Sequence, residues 1–168
     1  MKIAPRQIAS FLAKPPDKIR AILLHGSDAG LRSSRARQLA TLYSDDLDDV
    51  FSVTRISGSA LHGEAGKIAD AAAEIPMFGT RLVLVKATGT ELLEACKFLL
   101  SRPIHDAMVI IDASDTTTKH TVVKLFETAD TAAAIGCYPD NIGDIRQLTT
   151  SILRKDNVSV DRDALDLI

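Results

Sequence analysis

The chain has 168 residues, 46% of them hydrophobic, which is enough for one main domain with a true core and the start of a second. Its formal charge is -2, from 20 basic and 22 acidic residues, and aromatics make up only 4% with no Trp. This composition argues against a bulk electrostatic footprint for nucleic acid and against a stacking surface for single strands, while leaving room for a local basic patch.

No apolar stretch reaches the ~18 residues of a membrane span, and the first fourteen residues lack the continuous apolar stretch of a signal peptide. A cytoplasmic protein is expected. Cys96 and Cys137 lie far apart, form no CxxC pair and sit in apolar runs, so they read as core thiols and not as a disulfide or zinc site.

In chain order, short apolar runs occur at 21–25, 51–57, 81–86, 107–112 and 132–138. Most are apolar at successive positions and not at alternating ones, which is how strands covered on both faces read. Helix-like segments separate them at 31–43, 63–75, 90–101 and 119–128. The third carries Leu92, Leu93, Cys96, Leu99 and Leu100 at helical spacing, and the fourth carries Val122, Val123 and Phe126 on one face. In the second, Ile68, Ala72 and Ile75 are expected to face inward. This alternation predicts a five-stranded, mainly parallel sheet with helices on both faces and right-handed crossovers. The Pro-, Asn- and Gly-containing stretch at 139–143 reads as a hinge. An amphipathic helix is expected over 144–155, and Asp161 is expected to cap another that runs to Ile168.

The turn after the first strand reads His25-Gly26-Ser27-Asp28-Ala29-Gly30-Leu31-Arg32-Ser33. Strand, Gly-containing turn and helix is the setting of a phosphate-binding P-loop. Aligned on Gly26, that pattern needs Gly at 31 and Lys at 32, but the chain has Leu31 and Arg32, and only Ser33 fits. Leu31 removes the freedom of the tight phosphate-cradling backbone, and Asp28 places a negative charge where phosphate would sit. The fourth strand ends in Asp112 with no second carboxylate to orient an attacking water. The loop therefore reads as degenerate and non-functional, with Ser27 or Asp28 capping the helix, and neither nucleotide cofactor nor metal is expected.

His25, His62, His105 and His120 show no metal-ligand spacing and are expected at surface or loop positions. The acidic stretch Asp45, Asp46, Asp48, Asp49 lacks the pattern of a calcium loop and reads as solvated. Lys119 and Lys124 read first as a solvated face, with a DNA or partner contact as the alternative. The connection Ile75-Pro76-Met77-Phe78-Gly79-Thr80-Arg81 is less ordinary. Pro76 favours an end to the preceding helix, and two large apolar side chains follow in a short link before a strand. They read either as residues capping the core or as an exposed plug for a partner's groove.

The run Ile22-Leu23-Leu24-His25-Gly26 followed by Asp28 and Leu31, the segment from Ile75 to Val85, the stretch from Lys119 to Leu125 and the Ala-Ile-Gly-Cys-Tyr strand together resemble the delta subunit of the bacterial DNA polymerase III clamp loader. The resemblance covers essentially the whole chain through motifs that are individually weak. It implies a RecA-like, AAA+-type domain over 1–140 without ATPase activity, then the start of a helical lid domain over 141–168, with the C-terminal collar domain absent from this chain. It implies that Met77 and Phe78, supported by Pro76, Gly79 and Arg81, enter a hydrophobic pocket on the sliding clamp (the beta subunit). Met77 stands where the family usually has Leu. The implied partners are the gamma/tau and delta-prime subunits, mainly through the collar, and primer-template DNA within the assembled loader. The assembly would belong to the DNA polymerase III holoenzyme, a DNA-directed DNA polymerase. Two other readings of the residues are an active P-loop enzyme, such as a small nucleotide kinase, and a nucleotide-free α/β interaction module with another partner.

Overall fold

The computed structural model describes residues 1–76 and 79–139; Met77, Phe78 and residues 140–168, with the helices expected there and most of the hinge, lie outside the described residues. The first compact unit runs from Met1 to Cys137. Five strands, β1 (Ala21–His25), β2 (Val53–Ser57), β3 (Arg81–Thr88), β4 (Ala107–Ser114) and β5 (Ala132–Gly136), form one sheet in the order β2-β3-β4-β1-β5. All four neighbouring pairs are parallel. Five α-helices join or precede them: α1 (Ile8–Ala13), α2 (Ala29–Ala40), α3 (Lys67–Ala73), α4 (Gly89–Leu100) and α5 (Thr121–Thr128).

Alternate side chains of each strand feed two separate cores. On one face Leu23, Val83, Val85, Val109 and Ile111 meet α3, α4 and α5, with Phe126 and Leu92 fully buried. On the other face Ile22, Leu24, Leu82, Met108 and Ile110 meet α1 and α2 through Phe11, Leu12, Leu39 and Ala40. Each fully buried Leu, Ile or Phe contributes roughly 1.5–3 kcal/mol. The expected sheet with helices on both faces is thus present.

Two expectations about the elements need correction. The second strand begins at Val53, and its Arg55 and Ser57 are exposed because β2 is an edge strand whose buried residues are Val53 in one core and Ile56 in the other. The second predicted helix is shorter than 63–75: a 3-10 turn at Gly58–Leu61 precedes α3, which ends at Ala73. Glu74 is already extended (ψ 131), and Ile75, which directly precedes Pro76, belongs to a position that disfavours helix. Ile75 is consequently 93% exposed, not inward. Finally, the N-terminal segment adds a strand-like pairing at the β5 edge, with Lys2 bridging Ala134 in parallel.

His25 is also corrected. It is 3% exposed at the end of β1, in register with Ala113 of β4 and Gly136 of β5, so the central position of its strand buries it. Burial, and to a lesser degree the charge of Lys2, lowers its pKa from 6.5 to about 4. Between these values the unfolded chain binds more protons than the folded one, so stability falls as pH drops through that window. Thermal melts from pH 7 to pH 4 should therefore show a steeper loss for the parent than for His25→Gln; equal slopes would contradict the burial argument.

Candidate functional site

The turn after β1 carries the residues that the sequence reads as a degenerate P-loop. Helix α2 takes over at Ala29, so the turn consists only of Gly26, Ser27 and Asp28. Gly30 and Leu31 already lie in the helix, where a P-loop would still be wrapping phosphate. The Oδ1 of Asp28 accepts the Leu31 N–H at 2.8 Å and caps α2. Three further backbone donors of the turn are also committed: Gly26 N–H to the Thr116 carbonyl at 2.9 Å, Asp28 N–H to the Cys137 carbonyl at 3.1 Å, and Arg32 N–H to the Asp28 carbonyl at 3.1 Å. Gly26 has φ 126, and a Cβ there would run into the Cys137 backbone, so only glycine fits this approach.

Arg32 then occupies the space the turn leaves. Its Nε donates to Asp112 Oδ1 at 2.7 Å, and a terminal nitrogen donates to the Gly26 carbonyl. Both side chains are buried, 7% and 10% exposed. In a working P-loop the cation at this position faces phosphate and an acid at the end of the fourth strand holds Mg²⁺. Here the cation and the acid neutralise each other. Ser33 is exposed and lines a cleft of about 560 Å³ between α2 and the ends of β2, β3 and β4, together with Arg37, Arg55 and Lys86.

The second predicted region lies at the opposite end of the sheet, ahead of β3. Pro76 is half-buried, and Gly79 is exposed with φ 65 and open space about its Cα. The proposed plug residues, Met77 and Phe78, are outside the described residues. Arg81 is not a surface cation but is 7% exposed. Its guanidinium donates to Thr54 Oγ1 at 2.5 Å, to the Phe51 carbonyl and to the Glu74 carboxylate, so it ties the loop before β2 to the end of α3. Sequence reading placed Arg81 beside the plug but missed this role, because its partners Phe51 and Thr54 lie 30 and 27 positions away. Lys119 and Lys124 are exposed beside and within α5. Burial pushes the Cys96 thiol up to about 12 and raises that of Cys137, the latter offset in part by Arg35.

The DNA clamp loader delta protein YqeN of Bacillus subtilis superposes with a TM-score of 0.65 at 15% identity. The match covers 95% of this chain and 50% of that one, so this chain spans half of that protein's length. The fold is RecA-like, of the AAA+ type. A DNA polymerase III gamma-subunit-related protein of Thermotoga maritima is more remote, at a TM-score of 0.47 and 12% identity over 89% of this chain and 52% of its own. Domain III of the Thermotoga maritima replication initiation protein DnaA gives 0.44 at 10% identity over 98% and 76%. No family model and no curated protein matches the sequence. Among the described residues, no helix is long and apolar enough to cross a membrane.

The ion pair makes a quantitative prediction. Removing one partner strands a buried charge, so Arg32→Ala and Asp112→Ala should each cost about 3–5 kcal/mol. The double variant should cost much less than their sum, because no charge is left unpaired. Urea titrations of the four proteins measure this; additive losses would mean that the two side chains do not act as a pair.

Proposed function

We propose that this chain is a non-catalytic subunit of a DNA clamp loader that binds the sliding clamp and opens it. The observation that carries the reading is the buried Arg32–Asp112 pair, in which the residue standing at the P-loop lysine position is engaged by the chain's own carboxylate. Such a domain retains the architecture of a nucleotide-driven machine without the means to hold the nucleotide. The likeness in fold to a clamp loader delta protein supports the same reading, as does the resemblance of the 75–85 segment.

The work is then done by differential binding. A subunit that prefers a clamp with one interface sprung raises the open population without hydrolysing anything. Moving such an equilibrium from mostly closed to mostly open needs on the order of 5.5 kcal/mol of preference. Met77 and Phe78 form the plug in this reading, and burying two such side chains contributes roughly 3–6 kcal/mol before association costs. Pro76 and Gly79 bracket the segment, and Arg81 fixes its base. Met in place of Leu preserves volume and apolarity. ATP acts elsewhere in the assembled loader, on gamma/tau-type subunits, and delta-prime and primer-template DNA complete the complex. Exposed Lys119 and Lys124 are available to that DNA. The place of action is the cytoplasm.

Titration of the full chain against the sliding clamp of the same organism tests this. Met77→Ala with Phe78→Ala should weaken binding by at least ~2 kcal/mol, about thirtyfold, with the melting temperature unchanged. Unchanged affinity, or unfolding of the variant, would assign both side chains to the core instead.

A further inference from the structure

Helix α2 packs against β4 and β1, which leaves the outer strands β2 and β3 less covered on that face of the sheet. The strand register fixes what lies there. Arg55, Leu84 and Ile110 stand in one cross-strand row, and Ser57, Lys86 and Asp112 stand in a second row on the same face. Leu84 is half-buried, and Arg55, Ser57 and Lys86 are exposed. The side of α2 that overlooks these rows carries Ser33, Ala36, Arg37 and Ala40, three and four residues apart. Three of these side chains are too short to fill the space above the strands. Leu47 and Asp48, on the connection from α2 to β2, close the third side. Together these walls enclose one cleft of about 560 Å³, within the range of small-molecule sites.

The charges of this cleft do not balance. Asp112 is taken by Arg32 at 2.7 Å. Asp48 meets Arg55 at 3.3 Å, and the same Arg55 nitrogen donates to the Leu47 carbonyl at 2.8 Å, which ties the third wall to the edge strand. Arg37 on the helix wall and Lys86 on the sheet floor remain, and among the described residues no ion pair or side-chain hydrogen bond engages either. Two unmatched positive charges in one concavity concentrate anions more strongly than the same charges on an open surface. Arg37 offers a planar fork and Lys86 a point charge, both of which hold phosphate oxygens, and the Ser33 hydroxyl stands on the same wall as Arg37. Leu47, Leu84 and Ile110 line the cleft beside them and suit an apolar body attached to the charged group.

We infer that this cleft is a binding site for a small organic phosphate, with its doubly charged head held by Arg37 and Lys86 and its apolar body laid on Leu84 and Ile110. The site is separate from the turn after β1. It uses α2 from Ser33 to Ala40 and not the N-terminal turn of that helix, where Asp28 accepts the Leu31 N–H. A nucleic-acid backbone asks instead for cations clustered along an open face or stripe, and the formal charge of -2 supplies no such footprint. No residue of the cleft belongs to the clamp-contact segment, so the site stands or falls independently of the clamp reading.

Isothermal titration calorimetry of the full chain tests the site with phenyl phosphate, inorganic phosphate and benzoate, at ~50 mM salt and at about pH 8, where a phosphomonoester carries two charges. Phenyl phosphate should bind. Inorganic phosphate cannot use the apolar floor and benzoate carries a single charge, so each should bind about tenfold more weakly. Arg37→Ala and Lys86→Met should each weaken phenyl phosphate about tenfold with an unchanged melting temperature. Lys124→Ala, which removes an exposed lysine on α5, should bind as the parent does. Binding that survives both Arg37→Ala and Lys86→Met, or that falls equally in Lys124→Ala, overturns the site, because the anion is then held elsewhere or by overall charge. Equal affinity for all three ligands overturns the assignment to an organic phosphate. A parent that gives neither heat nor a rise in melting temperature with phenyl phosphate at about 10 mM overturns the inference altogether.

Discussion

Arg32 reaches from the first turns of α2 across the top of the sheet to Asp112 at the end of β4, and its other arm closes on the Gly26 carbonyl. Burying a guanidinium and a carboxylate is costly unless each is satisfied by the other and by further hydrogen bonds. The surrounding structure follows from meeting that demand. The turn must be short enough to bring Gly26 under the guanidinium, so α2 begins at Ala29 with Asp28 as its cap. Gly26 must pass so close to Cys137 that no side chain is tolerated. The ends of β1, β4 and β5 and the head of α2 are thereby locked to one another without any ligand.

The same constraint divides the labour between the two ends of the sheet. Ligands of open α/β sheets bind in the crevice beyond the carboxyl ends of the strands. In this chain that end of the sheet holds the buried Arg32–Asp112 pair. The opposite end gathers the loops ahead of β2, β3 and β4 around a second buried arginine, Arg81, and displays apolar side chains beyond them. An arginine suits both places because its planar fork satisfies several acceptors at once. One arginine ties the turn after β1 to β4, and the other ties the loop before β2 to the end of α3.

Much of this was legible in the sequence because parallel central strands announce themselves. β1 and β4 are buried along nearly their whole length, and their unbroken apolar runs gave their positions. The edge strand β2 was placed less well because only Val53 and Ile56 are buried, one in each core, so it carries no unbroken apolar run. The degenerate turn was visible as Leu31 and Arg32 in place of Gly and Lys, but the pairing of Arg32 with Asp112 was not, since it spans 80 positions and depends on strand register. His25 and Arg81 were misplaced for a related reason: a polar residue at a strand end is buried or exposed according to its neighbours in the sheet, which local sequence does not carry. The short helix α1 and the Lys2 bridge to Ala134 escaped because neither has enough length for a periodic signal.

The central claim is that this chain drives a change in its partner by binding alone. Fluorescence energy transfer between dyes placed across the clamp's subunit interface measures that directly. The full chain, added without nucleotide, should shift the clamp toward the open state in proportion to its occupancy, and MgATP should leave the shift unchanged. A clamp that stays closed at saturating chain, or opens only when MgATP is present, would contradict the account.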